Sequence, residues 1–392
     1  DRRQRQMCIR DRVGRIHKYI ALAYAAKIKL YQAYQQDETT HAVTSINKEL
    51  LREVVSLCDQ VTASNRYGLL DDFQGLDLVA NENGKESVFA IQYSMNDGTE
   101  SAGRINWSNL LNSPGGGSPY GGDGFFLPSQ DLINAYQTDA NGLPDFNYQS
   151  KSDYSWAVLN NGVYTLQNTT PNVDPRLDFV VGRPTITWKT YPDKPCEGWV
   201  RDKETYGYNC AKRFWVSPES SDMFNGWPWG ASQLNWQIIR YADILLWKAE
   251  ALIELNEGNG LETARDLINQ IRNRARNSAY VKDFNDHSKY AANYLVNPYP
   301  ADVWNQDYAR QALRWETRLE KALEGERFFD LVRWGIVETT MNKYITAESD
   351  NRIYYANAHF TGGKDEYYPV PNNQYGFSGG KYVQNPGYAP FN

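Results

Sequence analysis

A helical hairpin is the feature of this 392-residue chain that most constrains its fold. Residues 238–276 read IIRYADILLWKAEALIELNEGNGLETARDLINQIRNRAR. Apolar residues recur every three or four positions on both sides of a Gly-Asn-Gly turn at residues 258–260, which is the period of an α-helix. The segment therefore predicts two antiparallel helices joined at these glycines.

A second hairpin is predicted near the start of the chain. Apolar residues follow helical spacing over residues 15–34 and again over residues 46–62. Ala26 and Ala249 stand where two helices can approach closely, one in each hairpin. Units of roughly 35–45 residues with this plan resemble tetratricopeptide-type hairpins. The predicted fold class is therefore mainly α.

A charged helix is predicted where residues 314–335 read RWETRLEKALEGERFFDLVRWG. The apolar stripes before and after Gly325 lie on opposite sides, so this glycine marks a kink or a junction between two helices. Glu316, Glu320 and Glu324 recur one turn apart. Such a row of like charges predicts a solvent-exposed helix face.

The character of the sequence changes between residues 71 and 236. Short β-like runs such as SVFAIQYSM (residues 87–95) alternate with loops rich in Gly, Pro and Asn, including SPGGGSPYGGDG (residues 113–124). Residues 188–236 hold six of the twelve tryptophans and show little helical period. Loops this long in a compact protein are usually functional, so we expect the helices to be scaffold and these loops to carry the function.

Aromatic residues with a polar atom are the candidate binding residues. The chain has 28 Tyr and 12 Trp against 14 Phe, and such side chains suit surfaces that are both apolar and hydrogen-bonding. Flat rings can stack on the C–H face of a sugar while Asn and Arg side chains bind its hydroxyls. The predicted ligand-binding residues are Trp188, Tyr191, Trp199, Tyr208, Trp215, Trp227, Trp229, Trp156 and Tyr120. The alternative for each of them is burial as an anchor of its own loop.

Several functional classes lack support in the sequence. A net charge of −6 disfavours a general nucleic-acid-binding surface, and no run of 18 apolar residues is present that could span a membrane. The G-x-S-x-G pattern at residues 376–380 is followed by neither Asp nor His, which a nucleophile elbow requires. The four histidines show no metal-ligand spacing.

Carboxylates leave two alternatives open. A glycoside hydrolase needs a pair of them, and either residues 71–72 or the glutamates of the charged helix could supply the pair, although their spacing does not favour hydrolysis. Asp139, Asn141 and Asp145 could ligate Ca²⁺, but Gly142 is misplaced for an EF-hand loop. No cofactor is predicted.

The cysteines suggest one pairing. Cys58 lies in an apolar helical stripe and is predicted to be buried. Cys196 and Cys210 flank a loop and could form a disulfide in an oxidising compartment.

The first residues of the chain differ from the rest. Residues 1–12, DRRQRQMCIRDR, carry five arginines without helical period and lack the apolar core of a secretory signal. They are predicted to be a non-native leader, with the native N-terminus missing.

Separated motifs, in the same order, resemble the SusD/RagB family of outer-membrane nutrient-binding proteins. They are LPSQDLINAY (127–136), DPRLDFVV (174–181), the 238–276 hairpin, the 314–335 helix, and the tail YYPVP (367–371) with QNPGY (384–388). The resemblance covers the chain from about residue 14 onward. It lacks the family's N-terminal portion, which carries the signal and the lipidated Cys.

The resemblance implies a fold of tetratricopeptide-like helical hairpins with long loop and short-strand insertions. One domain is expected over residues 13–392. Its parts are a helical hairpin (13–65), a loop-rich insertion on the ligand side (66–236), and a C-terminal helical region with a wrapping tail (237–392).

The resemblance also implies a function. Members of the family are lipid-anchored at the surface of a Gram-negative outer membrane, bind oligosaccharide without catalysis, and deliver it to a SusC-like TonB-dependent transporter. A peptide ligand, as in some members, and glycoside hydrolysis are the alternatives. The family has no ligand-residue motif to carry over, so the aromatic site residues rest on their chemistry alone.

Overall fold

A computed structural model describes residues 14–99, 103–107, 111–189, 191–227 and 229–391, with residues 191–195 described as backbone only. The leader predicted at residues 1–12 lies outside this part. The described α-helices are α1 (Lys18–Ala33), α2 (Lys48–Thr62), α3 (Gln130–Ala135), α4 (Arg176–Val180), α5 (Lys203–Tyr206), α6 (Tyr241–Leu255), α7 (Gly260–Asn277), α8 (Gln306–Glu320), α9 (Arg327–Arg333), α10 (Val337–Ser349) and α11 (Asn372–Phe377).

The described strands are short and pair two by two. They are β1 (Tyr34–Gln36), β2 (Val43–Ile46), β3 (Ser87–Ile91), β4 (Gln137–Thr138), β5 (Ala157–Asn160), β6 (Val163–Leu166), β7 (Asn172–Val173), β8 (Val181–Gly182), β9 (Thr187–Trp188), β10 (Tyr191–Pro195), β11 (Cys210–Ala211) and β12 (Trp236–Arg240). All six pairings among them are antiparallel: β1–β2, β3–β12, β4–β7, β5–β6, β8–β11 and β9–β10. The mainly α fold predicted from the sequence is confirmed.

Two helical hairpins form the body of the protein. Helix α1 packs against α2, α2 against α6, and α6 against both α7 and α8. The Asn47 side chain accepts the backbone N–H groups of Glu49 and Leu50, which fixes the start of α2. Asn256, in the left-handed conformation with φ 50°, ends α6 at the predicted turn.

Small residues lie at the centre of this body. Ala26 of α1 and Ala249 of α6 are completely buried in the same apolar cluster. A methyl group at these positions lets the helix backbones approach, and a larger side chain would force them apart. Their predicted role in close helix packing is confirmed.

Strands β3 and β12 join the loop-rich region to the helical body. Ser87 pairs with Arg240 and Ile91 pairs with Trp236. Because β12 runs directly into α6, this pairing fixes the position at which the loop region meets the helices. The β-run predicted from SVFAIQYSM is confirmed over its first five residues.

The acidic face of α8 is buried, which corrects a sequence prediction. Glu316 and Glu320 are completely buried, and the Glu324 side chain is largely buried. The row of glutamates therefore points into the protein, where arginines from other elements neutralise it. A buried carboxylate is tolerated only when it is paired in this way.

Glu320 is bound by three arginines from three elements. Its carboxylate lies 2.9 Å from Arg240 at the end of β12, 2.5 Å from Arg274 of α7, and 3.2 Å from Arg176 of α4. Burial alone would raise the pKa of Glu320, but the three guanidinium groups lower it to about 2. Glu316 is paired with Arg176 at 2.6 Å and with Arg272 at 3.2 Å.

Gly325 marks a junction between two helices rather than a kink. Helix α8 ends at Glu320, α9 begins at Arg327, and Gly325 between them has a φ of 85°, which favours glycine. The chain then forms α10, and α11 lies within the segment expected to be the tail. Between these two helices, Phe360 is buried in the main apolar cluster. Within the described residues, none of the helices has both the length and the apolar character that a bilayer span requires.

Candidate functional site

The aromatic residues predicted to bind ligand fall into three groups when their surroundings are compared. Tyr120, Trp188, Trp199 and Trp215 are buried. Trp227 and Trp229 are exposed on one loop, and Trp156 and Tyr208 line a separate cavity. The backbone of Tyr191 lies in β10, but its side chain is outside the described part, so its role stays a prediction.

The buried aromatic cluster (Tyr120, Trp188, Trp199 and Trp215) supports the loops from within. The Trp188 indole N–H donates to the Tyr120 hydroxyl at 2.9 Å, and that hydroxyl donates to the Val216 carbonyl at 2.6 Å. The Trp188 and Trp199 rings meet edge to face, with centroids 5.0 Å apart. In this arrangement these side chains leave no ring face for a sugar, so we do not retain them as ligand contacts. These four side chains anchor their own loops, which is the alternative that the sequence left open for each predicted ligand-binding aromatic residue.

The exposed tryptophan surface (Trp107, Trp227 and Trp229) is the largest group of accessible indoles among the described residues. Trp227 is 64% exposed, Trp229 is 52% exposed and Trp107 is 41% exposed. The rings of Trp107 and Trp227 meet at 72°, with centroids 5.3 Å apart. The two indoles thus meet edge to face and together present an exposed aromatic surface. Sequence reasoning missed Trp107, which stands alone in a polar loop far from the tryptophan-rich segment.

Close backbone contacts fix this surface in place. The backbone N–H of Asn106 donates to the Ser232 carbonyl at 2.9 Å, which joins the loop of Trp107 to the loop of Trp229. At Gly122 and at Gly230 a Cβ atom would collide with Ser113, so only glycine allows these segments to approach. The glycine-rich loop of residues 113–124 is therefore a tightly packed support for the indoles.

Polar side chains stand beside the exposed tryptophan surface. Asn225 is exposed two residues before Trp227. Arg201 forms an exposed ion pair with Asp123, and Asp123 lies on the same glycine loop whose Gly121 contacts the Trp229 side chain. Amide, guanidinium and carboxylate groups next to indole faces can bind hydroxyl groups that surround an apolar ring face.

The third group lines a cavity of about 510 Å³, here called the Trp156 cavity. Trp156 is 40% exposed and Tyr208 is half-buried. The lining residues come from the start of α3, the start of β5, α5 and the residues after α10. The cavity is made by elements different from those that carry the exposed tryptophan surface.

The two cysteines that could form a disulfide, Cys196 and Cys210, lie within the packing of the buried aromatic cluster. The sulfur atoms of Cys196 and Cys210 are 3.4 Å apart and are not bonded, and both side chains are buried.

Treatment with diamide is expected to oxidise the two thiols to a disulfide, with loss of both hydrogens to the diamide. The disulfide should raise the free energy of unfolding by about 3 kcal/mol, the chain-entropy value for a loop of roughly 15 residues. Peptide mapping after alkylation and urea denaturation measure the two effects.

Cys196→Ser is the matched control, since its stability should not respond to diamide. Recovery of both thiols as alkylated peptides from the oxidised, unfolded wild-type chain would contradict the prediction.

The segment considered for Ca²⁺ has a structural explanation. The Asp139 carboxylate accepts the backbone N–H groups of Asn141 and Leu143 at 2.8 and 2.9 Å, which closes a turn. Asp145 forms an ion pair with Lys151. Over the described ranges, no group of three His, Cys, Asp or Glu side chains could hold a metal ion.

Stacked helical hairpins with long loop and short-strand insertions define a tetratricopeptide-like fold. The chain belongs to the SusD family, whose model matches residues 85–388. The resemblance stated from the sequence motifs is thus confirmed. No curated protein matches the chain.

Solved structures from three Bacteroides species share the fold. A SusD homolog from Bacteroides thetaiotaomicron has a TM-score of 0.61 at 17% identity, covering 95% of this chain and 64% of its own. A SusD superfamily protein from Bacteroides vulgatus has a TM-score of 0.59 at 20% identity, with coverage of 93% and 62%. Surface glycan-binding protein A from Bacteroides fluxus has a TM-score of 0.56 at 18% identity, with coverage of 96% and 63%. The chain thus spans less than two thirds of the length of each.

Proposed function

We propose that this protein binds oligosaccharides without cleaving them, and that the exposed tryptophan surface is the binding site. The observation that carries the proposal is the pair of indoles, Trp107 and Trp227, that meet at 72° on a rigid loop base. Membership of the SusD family supports the proposal, as does the printed name of the similar glycan-binding protein from Bacteroides fluxus.

The chemistry of the surface suits a sugar chain. The C–H face of a pyranose ring is apolar and packs on an indole, while its hydroxyl groups need donors and acceptors around the edge. Asn225, Arg201 and Asp123 supply both kinds of group next to the indoles. Because Trp227 and Trp229 are each more than half exposed, a sugar can reach their rings.

Hydrolysis by the glutamates of the charged helix is not favoured. Glu316 and Glu320 are completely buried and bound by arginines, so a substrate cannot reach them. A carboxylate held as a paired anion by guanidinium groups is also a poor proton donor, and a glycosidase needs such a donor.

The family further suggests where the protein acts. We propose that it lies at the cell surface as an outer-membrane lipoprotein and delivers the bound oligosaccharide to a SusC-like TonB-dependent transporter. Purification of the native protein with its membrane partners tests this step, because a stable transporter complex is the expected result and recovery as a lone periplasmic protein would contradict it.

The double variant Trp227→Ala/Trp229→Ala tests the binding site. It is expected to weaken binding of the best ligand in a glycan panel by at least about 30-fold, since an aromatic hot spot is worth roughly 2 kcal/mol. Isothermal titration calorimetry measures the affinity, and a reducing-end assay on the same samples detects cleavage.

Two controls accompany this variant. Trp227→Phe/Trp229→Phe keeps a flat ring at both positions and should retain much of the affinity. Tyr368→Ala removes an exposed ring from the C-terminal segment and should change nothing. Unchanged affinity in the double alanine variant would refute the site. Release of reducing ends would indicate a hydrolase, and binding of peptides but of no glycan would favour the peptide alternative.

A further inference from the structure

The Trp156 cavity has the shape and lining of a small-ligand site. Its volume of about 510 Å³ lies within the roughly 300–1,000 Å³ of typical ligand pockets. We infer that it is a second saccharide site, which binds a single neutral sugar residue independently of the exposed tryptophan surface. The inference rests on the contents of the cavity and does not depend on the proposed function of that surface.

Two aromatic rings provide the apolar walls. The Trp156 indole is partly exposed to the cavity, and the Tyr208 ring is held edge to face against Tyr164 with centroids 5.6 Å apart. Next to the cavity, the rings of Tyr206 and Tyr354 lie 6.0 Å apart. Both are about half exposed, so they extend the aromatic area beyond the rim.

Asn209 gives the clearest sign that a ligand is needed. It lines the cavity and is only 8% exposed, yet its Oδ1 atom is buried without a hydrogen-bond partner among the described residues. Buried polar atoms in folded proteins are nearly always paired, because an unpaired one has lost its water without replacement. A ligand hydroxyl that donates to Oδ1 would supply the missing bond.

The charged groups around the cavity balance one another. The charged residues of the lining are Lys203, Arg352, Asp153 and Glu204, which together give no net charge. Among the described residues neither cation is within ion-pair distance of a carboxylate; the Arg352 guanidinium donates only to the Asn351 carbonyl, at 2.6 Å. Such a lining has no preference for an anion or a cation.

A neutral polyol satisfies these groups better than other small ligands. Hydroxyl groups can donate to Asn209 and Glu204 and can accept from Lys203 and Arg352 at the same time. The apolar face of a pyranose ring then packs on Trp156. A sugar residue combines both properties in one small, uncharged molecule.

The cavity is preformed rather than loose. Asp153 accepts the Asn134 amide at 2.7 Å and the Asn351 amide at 3.2 Å, which joins the residues before β5 to α3 and to the end of α10. A side chain at Gly207 would collide with the Arg352 guanidinium, and Gly207 also has a φ of 80°. Glycine therefore lets the guanidinium pack directly against the backbone. A preformed site loses little entropy when it binds.

Titration followed by the indole N–H signals of ¹⁵N-labelled protein tests the inference. The probes are the methyl glycosides of glucose, galactose, mannose and xylose, with glucuronate as the charged match of glucose. The Trp156 signal is identified by its loss in Trp156→Phe. At least one neutral sugar is expected to shift it at millimolar concentration, and equally so in the Trp227→Ala/Trp229→Ala background.

Asn209→Leu separates a binding role from a structural one. This variant keeps the size of the side chain and removes the unpaired oxygen, so it should weaken the sugar about tenfold while the melting temperature stays the same or rises. A lower melting temperature with unchanged affinity would show a purely structural asparagine and overturn the inference.

Three results of the titration would also overturn it. The first is no shift of the Trp156 signal up to about 50 mM sugar, a concentration well above the millimolar range of weak ligands. The second is a shift that disappears in the Trp227→Ala/Trp229→Ala background. The third is tighter binding of glucuronate than of glucose. A different result would refute the proposed function: an oligosaccharide affinity that does not depend on Trp227 and Trp229. That result is independent of the outcome at Trp156.

Discussion

Arg176→Met is expected to lower the free energy of unfolding by about 3–5 kcal/mol, the cost of leaving buried charges without their partner. The Arg176 side chain is completely buried and pairs with Asp174 at 2.7 Å, Glu316 at 2.6 Å and Glu320 at 3.2 Å. Methionine can fill much of the space but offers no positive charge, so three carboxylates lose a common partner. Urea denaturation followed by circular dichroism measures the change.

Arg52→Met is the matched control for this variant. Arg52 also pairs with two carboxylates, those of Glu49 and Glu257, but it lies at the surface with its side chain 44% exposed. Exposed ion pairs contribute little to stability, so this variant should be nearly as stable as the wild type. Equal stability losses for the two variants would refute the assignment of the buried network as the link between loops and helices.

The position of Arg176 makes this prediction relevant to binding. Arg176 belongs to α4 in the loop-rich region, whereas Glu316 and Glu320 belong to α8 in the helical body. The network therefore holds the loop-rich region, which carries the proposed binding surface, on the helical body. The DPRLDFVV motif, which pointed to the family from sequence alone, has this structural role.

The helical body could be predicted from the sequence because its information is local. Apolar residues at helical spacing and a Gly-Asn-Gly turn specify a hairpin without reference to distant residues. The face of α8 could not be predicted in the same way. A glutamate every fourth residue usually faces solvent, and only the three-dimensional arrangement brings Arg240 and Arg274 to Glu320.

The candidate site was predictable in composition but not in detail. Trp188, Trp215, Trp227 and Trp229 occur in one segment with similar Gly, Pro and Asn neighbours, yet the first two are buried and the last two are exposed. Exposure depends on what packs over each ring. Trp188 lies in a strand over which Tyr120 folds from a distant loop, and no local pattern carries that information.

Glu250→Ala is expected to destabilise the helical body by about 3–5 kcal/mol, because three donors lose their acceptor in the buried interior. The Glu250 carboxylate accepts the Tyr34 hydroxyl at 2.6 Å, the Trp334 indole N–H at 2.8 Å and the Arg333 guanidinium at 3.0 Å. Burial alone would raise the pKa of Glu250, but Arg333 lowers it, so the residue is a buried anion. Glu250 therefore joins α6 to Tyr34, which directly follows α1, and to Arg333, the last residue of α9. Thermal and urea denaturation measure the loss.

Glu257→Ala provides the comparison at the other extreme, since Glu257 pairs with Arg52 at the surface just beyond the same helix. Its removal should leave the stability nearly unchanged, because exposed ion pairs contribute little. Glu250→Gln keeps the shape and one acceptor oxygen, and it should fall between the two variants because Arg333 retains Asp330 at 3.0 Å. If Glu250→Ala were no less stable than Glu257→Ala, the Glu250 carboxylate could not contribute substantially to the stability of the helical body. The stability difference between wild type and Glu250→Gln would measure the contribution of the charge, and the further loss in Glu250→Ala would measure that of the side-chain volume and the remaining acceptor.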